Sequence, residues 1–269
     1  MIKDITIGQY FPGNSLLHRL DPRTKILLTV AYIVLLFITK RLIGLAFAGV
    51  FMLMVVLISG ISVKTVMKSI KPLLFIMIFT AVLQMIYNGG EPLFPTVKWL
   101  FWLSGEGIRN AIFMVVRIVL LVVGTSFMTY TTSPIMLTGA LESLLSPLKC
   151  VKVPVHEFAM MMTIALRFIP TLVDETDKIM NAQKARGADF ETGNIFRRAK
   201  ALIPILVPLL VSAFRRAEEL ADAMECRCYH GGDGRTKFKV YQFALIDIWA
   251  ALVMTAIFGI IILFNTGII

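Results

Sequence analysis

Two guanidinium groups stand in short frames of small residues, Ala185-Arg186-Gly187 and Cys226-Arg227-Cys228. Each triplet closes a long helix-forming run that begins apolar and ends charged. In the first, Leu166, Phe168, Ile169 and Leu172 give way to Asp174, Glu175, Asp177 and Lys178. In the second, Ile203 to Phe214 gives way to Arg215, Arg216, Glu218, Glu219 and Asp222. A guanidinium held at a rigid helix tip can form a bidentate, charge-assisted ion pair with a partner carboxylate. Its small neighbours let the tip enter a groove. The helix dipole alone favours basic residues at C-termini, but the same build on two helices points to docking.

Catalytic chemistry finds no comparable frame. The sequence has no Gly-rich loop ending in Gly-Lys-Ser or Gly-Lys-Thr to cradle a triphosphate, and no His-Glu-x-x-His or Ser-His-Asp arrangement. His18, His156 and His230 are scattered. Cys226, Cys228 and His230 offer three metal ligands without a fourth at a recognisable spacing, and they read more simply as a helix terminus. Cys226 and Cys228 are too close in sequence for an ordinary bridge. The expectation is a chain with no catalytic residue, no metal site and no cofactor of its own; if ATP powers the system, another subunit binds it.

The elements that carry the two arginines belong to a membrane-like chain. Hydrophobic residues make up 57% of it and the mean hydropathy is +0.80, above the roughly 45–50% apolar content of soluble domains. Charge-free runs at 42–63, 72–90, 118–141 and 248–269 approach or exceed the roughly 17–25 residues that cross hydrocarbon. A run at 26–39 is shorter and needs tilt or local thinning. The first twenty residues carry Gln9, Pro12, Gly13, Asn14 and Arg19 where a cleavable apolar core would lie, so no signal peptide is read. The net charge of +10 sits beside apolar runs, which fits a positive-inside bias better than nucleic-acid binding.

The organisation that follows is all-α: a polytopic membrane protein with about five transmembrane helices and a cytoplasmic coupling region of long amphipathic helices. Residues 1–25 form a cytoplasmic arm, with Asp21 capping a helix whose first position is Pro22. Residues 26–130 carry four spans, 26–39, 42–60, one opened by Pro72 and ending near Tyr87, and one from about Asn110 to Tyr130. Asn88-Gly89-Gly90-Glu91-Pro92 reads as an external turn, and Trp99, Phe101 and Trp102 as interfacial or core aromatics. Arg117, one or two turns into the fourth span, either snorkels or pairs structurally, or serves movement or partner contact. Residues 131–240 form the coupling region: a helix from Ser133-Pro134 to about Leu145, a second from Pro154 to Lys184, and a third from Asn194 to Glu225. Pro170, Pro204 and Pro208 are its bend sites. Residues 241–269 form the last span.

Three stretches give this chain a family likeness: Leu17-His18-Arg19-Leu20-Asp21-Pro22-Arg23-Thr24-Lys25; Leu166-Arg167-Phe168-Ile169-Pro170 leading to Ala185-Arg186-Gly187-Ala188; and Glu218-Glu219-Leu220-Ala221-Asp222-Ala223-Met224-Glu225-Cys226-Arg227-Cys228-Tyr229. Over nearly its whole length the chain resembles the transmembrane T component of energy-coupling factor (ECF) transporters, relatives of cobalt-transport permeases that import vitamins or transition metals. The resemblance implies a non-catalytic scaffold whose Arg186 and Arg227 dock into two ATP-binding cassette ATPases, identical or paralogous, that bind MgATP. It implies a separate small membrane S component for substrate capture and a multi-pass place in a bacterial or archaeal plasma membrane, with membrane lipids around it. Gly187 stands where an alanine is frequent in the family, and Cys226 and Cys228 replace small residues. The other reading of the residues is a self-contained secondary transporter or channel, for which Arg117 is the main intramembrane charge.

Overall fold

The computed structural model describes residues 10–87, 104–190, 194–232 and 241–266. Their regular structure is helical: α1 (Leu16–Arg19), α2 (Pro22–Ile38), α3 (Leu42–Ser59), α4 (Val63–Ile70), α5 (Leu74–Tyr87), α6 (Gly105–Thr131), α7 (Pro134–Leu144), α8 (Val155–Ala185), α9 (Ile195–Glu225) and α10 (Leu245–Thr266). The turn expected at Asn88–Pro92 and the aromatics Trp99, Phe101 and Trp102 lie outside the described residues. The helices fall into two compact units, one within Gly8–Ser133 and Tyr241–Ile269, the other within Pro134–Val240.

In the first unit four helices are long and apolar enough to cross a membrane: Leu42–Ser59, Val63–Tyr87, Gly105–Thr131 and Leu245–Asn265. Helix α2 is a fifth apolar helix; its 17 residues rise about 26 Å, slightly short of a hydrocarbon core of about 30 Å. Two boundaries differ from the sequence reading. Pro72 does not open the third span: it lies in a 3-10 turn, Lys71–Leu73, that joins α4 to α5. Proline offers no N–H to an α-helical carbonyl, and the tighter turn absorbs the loss within a continuous rod. Helix α6 starts at Gly105 rather than Asn110, because the Ser104 hydroxyl accepts the Gly107 amide and caps it. Arg117 is therefore about three turns inside the helix.

The core of this unit gathers Tyr32, Leu35 and Leu36 of α2, Leu45, Ala48 and Met52 of α3, Val66 of α4, Leu120, Val123 and Phe127 of α6, and Met254 and Ile261 of α10. Outward-facing apolar side chains stay exposed, Leu57 at 69% and Phe75 at 78%, as helices solvated by lipid require. Close approach comes from small residues at helix contacts. At Gly124 a Cβ would stand 2.7 Å from the Tyr32 ring, so only glycine admits that ring.

Polar contacts close α2 at both ends. At its start, the Asp21 carboxylate accepts the Arg23 amide while the Asp21 amide donates to Asp247 Oδ1, and Asp247 Oδ2 accepts the Ala244 amide at the start of α10. Lys25 Nζ, buried between these acids, donates to the carbonyl of Thr131 at the end of α6, where the dipole is negative. At the far end Arg117 donates to the Thr39 carbonyl and lies over the Phe113 ring, 4.4 Å from its centroid. Asn265 accepts the Lys40 amide and donates to the Ile38 carbonyl. These contacts make α2 parallel to α10 and antiparallel to α6. Of the two roles open for Arg117, the geometry supplies a structural one: among the described residues its partners are a carbonyl and a ring, not a carboxylate.

Replacing Asp247 by Ala leaves the Asp21 and Ala244 amides without acceptors, at a cost of about 2–4 kcal/mol. The expected outcome is a Tm lower by about 5–10 °C for the chain in mild detergent, with Asp247→Asn intermediate because one acceptor remains.

Candidate functional site

In the second unit α7 ends in a 3-10 segment, Ser146–Val151, and the two 31-residue helices α8 and α9 follow. Both stay helical through their prolines, Pro170 in α8 and Pro204 and Pro208 in α9. A proline removes the amide that would serve the carbonyl four residues earlier, so Pro208 frees the carbonyl of Pro204. Gln183 of α8 donates to that oxygen over a long 3.5 Å.

The main polar contact between the two helices is built on Glu175. Its carboxylate accepts from the Ser212 hydroxyl through Oε1 and pairs with Arg216 through Oε2 at 2.8 Å. The Ser212 hydrogen bond, then the Arg216 guanidinium, hold the Glu175 carboxyl below its ordinary value of 4.5 despite some desolvation. Further along, Gly232 lies against the His156 ring, which bonds Glu142 of α7 at 3.0 Å. Contacts of Gln183 with Pro204, Glu175 with Ser212 and His156 with Gly232 run in opposite sense along the two segments, so α8 and α9 are antiparallel. Arg186 lies eleven residues beyond Glu175 and Arg227 eleven beyond Arg216, an arm of about 16 Å in each case. Helix rise then separates the two arginines by on the order of 30–40 Å.

Both arginines occupy the same position in the same motif. After α8, the Ala188 amide donates to the Gln183 carbonyl at 3.0 Å and the Gly187 amide to Lys184 at 3.0 Å, with Gly187 at φ +85°. After α9, the Tyr229 amide donates to Met224 at 3.1 Å and the Cys228 amide to Glu225 at 2.9 Å, with Cys228 at φ +55°. Each is a Schellman closure with arginine as the C-cap residue. Ala185, Arg186, Gly187, Cys226, Arg227 and Cys228 are all exposed. Among the described residues neither guanidinium enters a salt bridge. Glycine is the usual residue at the left-handed position that ends a helix. It holds that position after Arg186, but after Arg227 the left-handed residue is Cys228 itself, and Gly231-Gly232 lies beyond the turn.

The cobalt transport protein family model matches residues 13–238. The chain belongs to this family. It is 52% identical over 96% of its length to an energy-coupling factor transporter transmembrane protein of Thermosediminibacter oceani, covering 97% of that relative. It is 55% identical over 94% of its length to the protein of the same name in Clostridium kluyveri, covering 93% of it. The counterpart in Ruminiclostridium cellulolyticum is 51% identical over the whole chain, with 97% of that relative covered. The chain is thus a transmembrane T component of an ECF transporter.

Sequence reasoning placed the arginines but missed Glu175, Ser212 and Arg216 as a bridge. Their signal was an acid and a base on the charged halves of two helices, which does not by itself reveal a register.

Two outcomes test the site. A non-glycine left-handed residue costs roughly 1–2 kcal/mol, more when β-branched, so Cys228→Val should speed hydrogen exchange of the Tyr229 amide by roughly 5–30-fold while Cys228→Gly does not. The bridge should respond to pH in one direction. Because the Glu175 carboxyl titrates below 4.5, its contribution is complete at neutral pH and disappears as pH falls through that lowered value. Spin labels at A185C and native Cys226, with Cys150 and Cys228 changed to Ser, should give one distance distribution from pH 8 to pH 6. That distribution should broaden in acid, once the pH falls through the lowered Glu175 value, and at neutral pH in Glu175→Gln.

Proposed function

We propose that this chain is the energy-coupling subunit of an ECF-type importer, and that Arg186 and Arg227 insert into grooves on two ATP-binding cassette ATPases, which bind MgATP. The paired arginine C-caps carry this reading: two exposed guanidiniums, alike in backbone closure and in distance from the Glu175 bridge. A Schellman turn holds the cap residue where the helix axis meets the surface, so a bidentate pair there transmits force along a rigid rod. The small residues around each arginine leave room for a groove wall. ATPase closure and opening would move two tips on arms of equal length, and the bridge would turn that into a change in how α8 and α9 cross. Pro170, Pro204 and Pro208 would let the helices bend as they do so.

The substrate, a vitamin or a transition-metal ion, would be captured by a separate small membrane S component. Helix α9 offers it a surface: Ile203, Leu206, Val207, Leu210, Val211 and Phe214 recur at helical spacing and are about half or more exposed. A positive-inside bias of the basic residues around the start of α2 and in α4 supports a cytoplasmic N-terminus, and docking to soluble ATPases requires the arginine tips to be cytoplasmic as well.

Charge reversal at either tip removes a charge-assisted contact of about 1.5–3 kcal/mol and adds repulsion. Arg186→Glu and Arg227→Glu should each weaken ATPase co-purification by at least about tenfold, and together abolish ATP-driven uptake in proteoliposomes while membrane insertion is retained. An intact, transport-active complex from the double variant overturns the proposal. So does substrate uptake by vesicles holding this chain alone, the mark of a self-contained transporter.

A further inference from the structure

Helix α4, the 3-10 turn Lys71–Leu73 and α5 form one apolar rod, Val63–Tyr87, whose basic residues gather at its start. Lys64, Lys68 and Lys71 recur at i, i+4 and i+7, so they share a helix face, and all three are exposed. No acid on the same elements offsets them: the rod carries none, and α6 has only Glu106, at its opposite end. Against Lys68 lies a polar pocket of about 290 Å³. Lys68, Ser69 and Pro72 line it from the rod, and Ser126, Thr129 and Tyr130 from the last two turns of α6. The Ser69 and Tyr130 hydroxyls bond each other and join the two walls. The remaining polar groups are available. Lys68 and Ser126 enter no hydrogen bond or ion pair among the described residues, and the Ser126 oxygen is not sealed from the surface. Thr129 is exposed and reaches the Thr125 carbonyl only over a long 3.5 Å. Lys25 meets the Thr131 carbonyl, which offsets the negative end of the α6 dipole.

The pocket stands where α6 finishes and the rod begins, at an end of two membrane-spanning elements. Along the rod the same face then turns apolar. Lys68, Pro72, Phe75 and Phe79 follow at i, i+4, i+7 and i+11, and the two phenyl rings stack with centroids 6.5 Å apart while remaining exposed. A cation and hydroxyls followed by bare aromatic surface complement an anionic amphiphile lying parallel to the helix. A cavity of about 150 Å³ holds benzene, so this one takes on the order of a dozen heavy atoms, enough for a phosphate and its glycerol. We propose that the pocket binds the headgroup of an anionic membrane phospholipid: the Lys68 ammonium pairs with a phosphate oxygen, the Ser126 and Thr129 hydroxyls donate to the same group, and an acyl chain runs along Phe75 and Phe79. Lys64 and Lys71, which do not line the pocket, add a field that draws anionic lipid to this edge. A phosphocholine headgroup carries its own cation and gains less from that field.

The test uses the full-length chain with its co-expressed partners in mild detergent, titrated with phosphatidylglycerol or phosphatidylcholine and read by native mass spectrometry. One phosphatidylglycerol should bind saturably, about fivefold or more tighter than phosphatidylcholine. Lys68→Gln should weaken it about tenfold, as loss of a charge-assisted contact does, and remove the preference between headgroups. Ser126→Ala should weaken it about threefold. Lys64→Gln, on the same face but outside the pocket, should change it by about twofold or less. The three residues are exposed or partly exposed, so an unchanged Tm is expected and shows that each variant is folded. Phosphatidylglycerol carrying a diazirine on one acyl chain should label the peptide containing residues 72–79, and about tenfold less so in Lys68→Gln. Equal binding of the two lipids overturns the proposal. So does an equal response to Lys64→Gln and Lys68→Gln, the mark of diffuse surface charge. Displacement of the lipid by millimolar inorganic phosphate, which marks a site for the free ion, overturns it as well, as do crosslinks from residues 72–79 to a partner protein in place of lipid. None of these results bears on ATPase docking, which is read by co-purification of Arg186 and Arg227 variants.

Discussion

A helix that ends in an apolar medium leaves its last carbonyls and first amides without water, and each such group is costly until something bonds it. The closures described above answer that constraint in two ways. Within the spanning unit, side chains from neighbouring helices close α2: Asp247 and Lys25 at the start, Arg117 and Asn265 at the finish. In the unit that carries the arginines, α8 and α9 close themselves through left-handed residues. The first solution binds helices to one another; the second leaves the cap side chain free for a partner.

That difference explains where charge is placed. Lys25, Asp21 and Asp247 are nearly fully buried, and each meets a helix end or an opposite charge, the condition under which charge survives burial. Arg117 satisfies a carbonyl and stacks on Phe113, so an arginine about three turns inside an apolar helix serves as a fastener. Arg186 and Arg227 are exposed. Since α8 and α9 already close through backbone bonds, their guanidiniums are not needed to complete either helix.

Glu175 joins the two levels. It lies eleven residues before one cap, and its partner Arg216 eleven before the other, so the polar bridge divides the pair into equal arms. An exposed ion pair alone contributes little; here the same carboxylate also takes the Ser212 hydroxyl, which gives the contact direction. Prolines nearby weaken the backbone ladder in both helices, and Gln183 covers the carbonyl that Pro208 leaves open.

Much of this was legible in the residues. Helical period, proline and glycine positions and the charge gradient gave α8 and α9 within a residue or two, Asp21 as the α2 cap, and the two arginines as candidate docking tips, because each depends on neighbours close in the chain. Where a cap or a tight turn set the boundary instead of the apolar run, local reasoning slipped: Ser104 started α6 early, and the turn at Pro72 joined α4 to α5. Cys228 took the left-handed position that glycine usually holds, since the backbone bonds of the closure outweigh the steric penalty. Pairings across helices, Asp21 with Asp247, Lys25 with Thr131, Arg117 with Thr39, and Glu175 with Ser212 and Arg216, were decided only by tertiary structure. They join residues from 37 to 226 positions apart, and no local pattern specifies which turns of two helices come to lie at the same height.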